Sequence, residues 1–264
     1  MAEDKSSATL ETTSDSWLGG KLMLRQPAKG HRVGSDAALL AAAAPQADRI
    51  ADIGAGIGAV GLALLSRMPK ARADLVEIDA ELAELARENA AANGFVERVR
   101  VAVADVTSAP FRRGAGLVDG AADLVVTNPP FFEAGRAQAS PEARRARAHI
   151  LKNAGGGEGA GLAAWLLGAL ALLAPGGCFV MIHRPEALGA ILAAFENRLG
   201  AVALLPVHPR ADAPAHRLLI AGVKGARAPL SLRPGLVLHE PSGAFTETAE
   251  KLHCGEAILP LLAR

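Results

Sequence analysis

The stretch that decides the fold is RIADIGAGIGAVGLALLSRM, residues 49–68. It opens with a short run of strand-forming character, RIADI, and passes through alternate glycines at Gly54, Gly56 and Gly58. An apolar helical pattern, AVGLALLSRM, follows directly. A strand, a glycine-rich turn and a helix in this order are typical of the first unit of a parallel sheet, in which the glycines let a ligand approach the backbone.

The same alternation continues along the chain. From Arg49 onward, β-rich runs alternate with helical patterns, which predicts parallel strands joined by crossover helices. The last two runs, AVALLPVHP and HRLLIAGVKG, are joined only by RADAPA, which is too short for a helical crossover. The predicted fold class is therefore α/β, with a Rossmann-like sheet of seven strands that is mostly parallel and has an antiparallel last strand.

Length and composition indicate one large domain. The chain has 264 residues, of which 50% are hydrophobic and 21% charged, and its net charge of +1 gives no global basic field. We expect a flexible polar tail over residues 1–16 and a single domain over 17–264. From about residue 228 the chain is punctuated by Pro and Gly, which suggests a small appendage. Nothing in the sequence indicates an oligomeric state.

Cysteine usage and hydropathy bear on the cellular compartment. The two cysteines, Cys178 and Cys254, form no CxxC or Cys/His pattern, which predicts a reducing compartment and no metal site. The longest apolar stretch, AGLAAWLLGALALLAP, is shorter than the roughly 20 residues of a membrane span. We interpret it as a buried helix and expect a soluble, cytoplasmic protein.

Three acidic residues stand where the first three predicted strands end. Asp52 lies just before the glycine turn, Glu77 ends the second strand and Asp105 ends the third. At such positions an acid can hold ribose hydroxyls or reach an adenine amino group. Together they indicate an adenosine-bearing ligand. The glycine turn alone is equally compatible with a nicotinamide and with an S-adenosylmethionine site.

The fourth strand runs into DLVVTNPPFF, residues 123–132. Pro129 and Pro130 have a fixed φ and no N–H, which makes a stiff turn with free carbonyls. The Asn128 side-chain carbonyl and the Pro129 backbone carbonyl can accept the two hydrogens of one amino group, and Phe131 offers a flat apolar face. This set of groups suits a planar, conjugated amine such as that of a nucleobase. The alternative is a rigid corner with core phenylalanines.

The Asp-x-Gly-x-Gly-x-Gly turn together with Asn-Pro-Pro-Phe resembles class I S-adenosylmethionine-dependent methyltransferases that act on amino nitrogens. NPPFFEAG, the upstream QPAKGHRVGSDAALLAAAAP and the late LVLHEPSGAFTETAEKL are similar to the bacterial family of tRNA1(Val) adenine-N6-methyltransferases, over about residues 17–264. Many members of that family have Tyr at the position of Phe131.

The resemblance implies S-adenosylmethionine as the cofactor and transfer of its methyl group to N6 of an adenine in a tRNA anticodon loop. It also implies roles for individual residues. Those that hold the cofactor are Asp52, Gly54, Gly56, Gly58, Glu77 and Asp105, with Arg32 and Asp36 at its methionine end. Those that hold the target base are Asn128, Pro129, Pro130 and Phe131. For the segment around Arg32 and Asp36, a helix start capped by Ser35 or Asp36 is an equal alternative.

Other functions stay open at this point. Asn-Pro-Pro-Phe also occurs in guanine-N2 methyltransferases of ribosomal RNA, and a near variant occurs in enzymes that methylate protein glutamine. An O- or N-methyltransferase of a small molecule and a catalytically idle RNA-binding module are further alternatives.

A basic segment follows the motif and is the predicted contact for RNA phosphates. Its residues are Arg136, Arg144, Arg145, Arg147 and Lys152. A second basic set, Lys21, Arg25, Lys29, His31 and Arg32, precedes the first strand. Solvated charge runs without a partner are common, so this interpretation competes with a plain surface.

Overall fold

The structure is a computed structural model that describes residues 10–29, 32–130 and 158–262. Its strands are β1 Thr12–Trp17, β2 Leu22–Pro27, β3 Arg49–Ile53, β4 Arg72–Glu77, β5 Val99–Val103, β6 Ala122–Thr127, β7 Leu173–His183, β8 Leu199–His208, β9 Arg217–Lys224, β10 Ser231–Leu232 and β11 Leu236–Val237. Its α-helices are α1 Ser35–Ala43, α2 Ala59–Arg67, α3 Ala80–Ala92, α4 Ala109–Gly114, α5 Glu158–Leu172, α6 Leu188–Phe195 and α7 Glu247–His253.

The central sheet has the strand order β10-β8-β9-β7-β6-β3-β4-β5, with β11 also paired to β8. Strands β3 to β7 pair in parallel, whereas β9 is antiparallel to both β7 and β8. The predicted seven-stranded, mostly parallel sheet with an antiparallel last strand is confirmed. The two-residue strands β10 and β11 extend it beyond the prediction.

Helices cover both faces of the sheet, and each face has its own core. Alternate residues of one strand point to opposite faces, so Ile50 joins the core under α1, α2 and α3, while its neighbour Ala51 joins the core under α5 and α6. The predicted apolar helix corresponds to α5. In the described ranges, no helix is long and apolar enough to cross a membrane.

The amino-terminal segment differs from the prediction of a flexible tail over residues 1–16. β1 begins at Thr12 and pairs antiparallel with β2, from Thr12 opposite Pro27 to Trp17 opposite Leu22. The tail prediction is therefore wrong for residues 12–16, and residues 1–9 lie outside the described ranges. Order in this polar strand comes from its partner, because Leu22 and Leu24 of β2 are almost fully buried in the core.

The carboxyl-terminal segment packs onto α1. The α7 residue Leu252 and the later Leu261 are both buried in the core that α1 shares. The backbone N–H of Leu259 donates a hydrogen bond of 2.8 Å to the carbonyl of Ala42, at the end of α1. The appendage predicted from about residue 228 is thus joined to the core near the amino-terminal helix.

Candidate active site

The carboxyl ends of β3, β4 and β5 bring the three predicted acids to one edge of the sheet. Asp52, Glu77 and Asp105 are 2%, 7% and 4% exposed. Buried carboxylates need hydrogen-bond donors, and here backbone N–H groups of the neighbouring turns are among them. The edge therefore presents a set of oriented acceptors.

Glu77 ties the glycine turn to the turn after β4. One carboxylate oxygen accepts from the N–H of Gly56 at 2.8 Å, and the other accepts from the N–H groups of Ile78 at 2.8 Å and Asp79 at 2.9 Å. Burial raises the pKa of Glu77, while these three donors act in the opposite direction. The carboxylate is held in one orientation, as recognition of a pair of ribose hydroxyls requires.

Asp52 lies deeper, beneath the first turn of α2. Its Oδ2 accepts from the N–H of Gly61 at 2.8 Å. Burial raises the pKa of Asp52 to about 7, and the nearby Glu77 charge adds to this. A Cβ on Gly61 would lie 2.3 Å from a Leu75 methyl carbon, so glycine at this position lets α2 approach the sheet.

The glycine turn has a conformation that L side chains rarely adopt. Gly54, Gly56 and Gly58 have φ values of +71°, +55° and +85°. The N–H groups of Gly54 and Ala55 both donate to the carbonyl of Val76, at 2.8 and 3.0 Å, which fixes the turn on β4. The backbone geometry therefore accounts for all three glycines, whatever ligand the turn holds.

A small cavity lies between the glycine turn and Asp105, the acid of the third strand. It is lined by Gly54, Val76, Ile78, Ala104, Asp105, Val106 and Trp165. Asp105 is oriented by Thr107, whose N–H and hydroxyl donate to Oδ1 at 2.9 and 2.7 Å. Apolar walls beside one carboxylate have the chemistry that an adenine ring requires, and Glu77 on the adjacent strand suits its ribose. The residues fit the adenosine part of S-adenosylmethionine.

The Asn-Pro-Pro turn starts where β6 ends, at Thr127. β6 is the neighbour of β3, and Thr127 lies opposite Ile53, so Asn128 follows β6 at the level where Gly54 follows β3. Asn128 and Pro130 are half-buried and Pro129 is buried. The next predicted residue, Phe131, lies outside the described residues.

The segment predicted at the methionine end is held by ion pairs. Arg32 donates to Asp15 of the hairpin at 2.7 Å, and Asp36 accepts from Arg217 at 2.9 Å. Arg217 begins β9 and lies opposite Val207, near the end of β8, so Asp36 reaches the same edge as the acids. The alternative of a side-chain cap is wrong, because the N-cap of α1 is Gly34 and no side chain caps the helix. Asp79 does cap a helix, accepting from Glu81 and Leu82 at the start of α3.

The predicted RNA contacts fall in two places. The segment of Arg136, Arg144, Arg145, Arg147 and Lys152 lies outside the described residues. In the second set, Arg25 pairs with Glu88, Lys29 with Glu11 and Arg32 with Asp15. These pairs neutralise much of the positive charge of the second set. Across the part of the chain that the structure describes, no group of three or more His, Cys, Asp or Glu is placed to hold a metal.

Trp165 and Thr127 are site residues that sequence reasoning missed. Trp165 falls within the apolar pattern of the predicted buried helix, which by itself predicts a structural role. The structure places it in the cavity wall. The indole N–H donates to the Thr127 hydroxyl at 3.0 Å. The site role of both residues depends on how α5 packs over the strand ends, and no local sequence pattern indicates that packing.

Comparisons with known proteins agree on methyl transfer. A family model described as the methyltransferase small domain matches residues 30–155. A tRNA1(Val) (adenine(37)-N6)-methyltransferase of Aeromonas hydrophila is 34% identical over 223 residues, which is 82% of this chain and 86% of that protein. A release factor glutamine methyltransferase of Chlorobaculum tepidum is 41% identical over 97 residues, 36% of this chain and 32% of that protein.

Among solved structures, a predicted O-methyltransferase of Agrobacterium tumefaciens matches with a TM-score of 0.69 and 35% identity. The match covers 85% of this chain and 98% of that one. These similar proteins are all named as methyltransferases, but their names give different acceptors. One names an adenine nitrogen, one a glutamine and one an oxygen.

Proposed function

The chain belongs to the family of tRNA1(Val) adenine-N6-methyltransferases, and from this premise we propose that it methylates N6 of an adenine in a tRNA anticodon loop. It is an S-adenosylmethionine-dependent methyltransferase. We therefore assign the glycine turn to S-adenosylmethionine rather than to a nicotinamide cofactor. The acceptor, and the residues that hold the acceptor and the cofactor, are the proposal.

The observation that carries the proposal is the pairing of β3 with β6. Because Ile53 lies opposite Thr127, the glycine turn and the Asn-Pro-Pro turn leave the sheet side by side. Asn128 is half-buried, and its side chain makes no hydrogen bond to another described residue. A group presented there would lie next to the cofactor's turn.

The chemistry favours an amine over a hydroxyl. The Asn128 side-chain carbonyl and the Pro129 carbonyl are two acceptors, which match the two hydrogens of an exocyclic amine. A hydroxyl has a single hydrogen and would leave one acceptor without a donor, which is costly in a buried site. The paired acceptors therefore favour an amine over the oxygen acceptor named for the O-methyltransferase that the chain resembles in structure.

The proposed reaction depends mainly on positioning. S-adenosylmethionine, when bound, supplies a methyl group on a positively charged sulfur. The adenine amine shares its lone pair with the ring and is a weak nucleophile. Two acceptors that hold its hydrogens orient the lone pair, and such orientation supplies a large part of a rate enhancement. The amine proton is released to solvent after the new N–C bond has formed.

The tRNA assignment rests on the family and on the accessibility of loop bases. A loop base can be splayed out without breaking a duplex, which lowers the cost of bringing it into a pocket. We assign the phosphate contacts to Arg136, Arg144, Arg145, Arg147 and Lys152. Transfer to tRNA would then fall steeply with salt. The proposal places the enzyme in the cytoplasm with its substrate.

The test is radiolabelled methyl transfer from S-adenosylmethionine into total tRNA, ribosomal RNA and a protein extract. We expect label in tRNA that digests to N6-methyladenosine. Asn128→Ala should lower kcat by about a hundredfold or more, comparable to the loss of one oriented hydrogen-bonding group in other enzymes. Binding of S-adenosylhomocysteine, measured by calorimetry, should stay unchanged in this variant.

Two outcomes would contradict the proposal. Label that appears only in ribosomal RNA or in protein would show a different acceptor. Full activity in Asn128→Ala would contradict the proposal that Asn128 holds the accepting amine. A triple change of Arg144, Arg145 and Arg147 to Glu that leaves transfer to tRNA intact would overturn the assignment of the basic segment alone.

A further inference from the structure

Helix α5 packs on the ends of three strands at the candidate site. Gly168 faces the residue after Asp105, since a Cβ on it would lie 2.1 Å from the carbonyl oxygen of Val106. One turn earlier, the ring of Trp165 packs on the glycine turn. A Cβ on Gly54 would lie 2.8 Å from Cζ2 and 2.9 Å from Cη2 of the indole. Glycine at position 54 is thus needed for the tryptophan as well as for the turn.

The indole N–H begins a directed chain of hydrogen bonds. It donates to Oγ1 of Thr127 at 3.0 Å, and the Thr127 hydroxyl donates to the carbonyl of Ile53 at 2.8 Å. A hydroxyl has one proton, so its oxygen is left to accept from the indole. Thr127 is fully buried and Trp165 is 5% exposed. Loss of either partner would therefore leave buried polar groups unpaired.

The two residues that this chain links to the indole lie directly before the two functional turns. Ile53 precedes Gly54, and Thr127 precedes Asn128. One side chain therefore lies against the cofactor's turn and is hydrogen-bonded to the last residue of the acceptor strand. Asp105 also lines the cavity to which this side chain contributes.

We propose that Trp165 is a positioning residue for methyl transfer. Its ring forms a wall of the adenosine cavity, and its N–H, acting through Thr127, fixes the spacing between Gly54 and Asn128. The inference rests on the proposed function, because Asn128 is taken as the group that holds the accepting amine. The proposed contact between the ring and the cavity's ligand involves only S-adenosylmethionine, so it can be tested without an acceptor.

Fluorescence gives a direct test, because the chain has only two tryptophans, Trp17 and Trp165. Trp17→Phe leaves Trp165 as the single emitter, and Trp17 lies in β1 and does not line the cavity. Titration with S-adenosylhomocysteine should then change the emission. In the matched variant Trp165→Phe, where only Trp17 emits, the same titration should leave the emission unchanged. An unresponsive Trp165 in protein that binds the ligand by calorimetry would overturn the inference.

Kinetics test the link through Thr127. Thr127→Val keeps the shape and removes the hydroxyl, and we expect kcat to fall by about a hundredfold with little change in the KM for the acceptor, since small misplacements have effects of this size. Thr127→Ser retains the hydroxyl and should restore most of kcat. Equal kcat in Val, Ser and wild-type proteins would overturn the positioning role even if Thr127→Val melts earlier.

The two proposals fail in different ways. Suppose that wild-type enzyme transfers no label to tRNA while Trp165 emission still responds to S-adenosylhomocysteine. The proposed tRNA acceptor is then wrong, and the proposed place of Trp165 in the cavity wall is supported. The kinetic comparison is then made on the acceptor pool that carries label. If tRNA is labelled and Trp165 does not respond, the function stands and the present inference fails.

Discussion

Asn89 in the last turn of α3 and Asn93, the residue directly after the helix, each pair a side-chain amide with both backbone groups of one residue of β2. Asn89 accepts from the Arg25 N–H at 2.7 Å and donates to the Arg25 carbonyl at 3.0 Å. Asn93 does the same with Met23, at 3.0 and 2.8 Å. Four helical residues rise about 6 Å and two strand residues about 6.6 Å, so the amides match alternate strand positions. The two side-chain amides thus satisfy backbone groups of β2 that a further strand would otherwise pair.

The two asparagines should differ in their effect on stability. Asn89 is 1% exposed and also donates to the carbonyl of Ile57, inside the glycine turn, at 3.0 Å. Asn89→Ala would leave these groups unpaired in the interior, and we expect a loss of about 2–4 kcal/mol in the free energy of unfolding. Asn93 is half-buried, so water replaces its bonds and Asn93→Ala should cost about 1 kcal/mol or less. Urea unfolding of both variants measures the difference, and equal losses would contradict it.

The buried Asp52 predicts a stability that falls as pH rises. Burial, together with the charge of Glu77, raises its pKa from the ordinary value of 3.8 to about 7. Between these values the folded state holds a proton that the unfolded state has released, so the free energy of unfolding declines with increasing pH. A shift of this size corresponds to at most about 4 kcal/mol. The decline should begin near the unfolded pKa and end above about pH 7.

Asp52→Asn isolates this contribution. The amide keeps an oxygen for the N–H of Gly61 and does not titrate. Glu77 has a raised pKa as well, so both proteins should retain a shared decline with pH. The measurement is the free energy of unfolding from urea titrations at a series of pH values between about 4 and 8. A difference between the two proteins that stays constant over this range would show that Asp52 does not titrate there.

Local patterns carried most of the sheet prediction. The unit from Arg49 to Arg67 is a strand, a turn whose glycines need positive φ, and an apolar helix, and each part is determined by its own residues. Asp79 caps α3 through N–H groups two and three residues ahead, which is equally local. The antiparallel pair of β8 and β9 followed from the shortness of its loop. In each case the residues that determine the structural element lie within or next to that element in the sequence.

The missed features depend on partners far along the chain. β2 is held by the amides of Asn89 and Asn93, more than 60 residues away, and β1 is ordered by its pairing with β2, so the polar segment by itself predicts a tail. Helical spacing is consistent with Asn89 on α3 but does not indicate that its amide pairs with β2. Likewise, the apolar pattern around Trp165 predicts burial and does not specify the surface against which the ring is buried.

The ion pair of Asp36 and Arg217 should be stronger than the exposed pairs of the molecule. Both side chains are mostly buried, with 25% and 20% exposed, and the pair joins the first turn of α1 to the start of β9. A double-mutant cycle with Asp36→Asn and Arg217→Gln should give a coupling of about 1 kcal/mol in unfolding.

The control cycle uses Arg25 and Glu88, whose side chains are 50% and 41% exposed at a similar distance of 2.9 Å. Solvent screens this pair, and its coupling should stay below about 0.5 kcal/mol. A coupling in the control that equals or exceeds that of Asp36 and Arg217 would contradict the argument from burial.

Gly168 and Gly189 are helical glycines for which the same substitution should have opposite effects. A Cβ on Gly168 meets the Val106 backbone at 2.1 Å, whereas a Cβ on Gly189 in α6 meets nothing within 4 Å. Gly189→Ala should raise the free energy of unfolding by up to about 1 kcal/mol through helix propensity. Gly168→Ala should lower it by about 1–3 kcal/mol, because α5 must move away from Val106.

The displacement of α5 should also reach the adenosine cavity. Trp165 lies one turn before Gly168 and Asp105 directly precedes Val106, so moving the helix widens the gap that the ring closes. We expect Gly168→Ala to weaken S-adenosylhomocysteine binding by about tenfold, equivalent to about 1.4 kcal/mol, and Gly189→Ala to leave it unchanged. Calorimetric titration of both variants decides the matter. Wild-type affinity in folded Gly168→Ala would show that the cavity tolerates a displaced α5, and the close packing at Val106 would then serve stability alone.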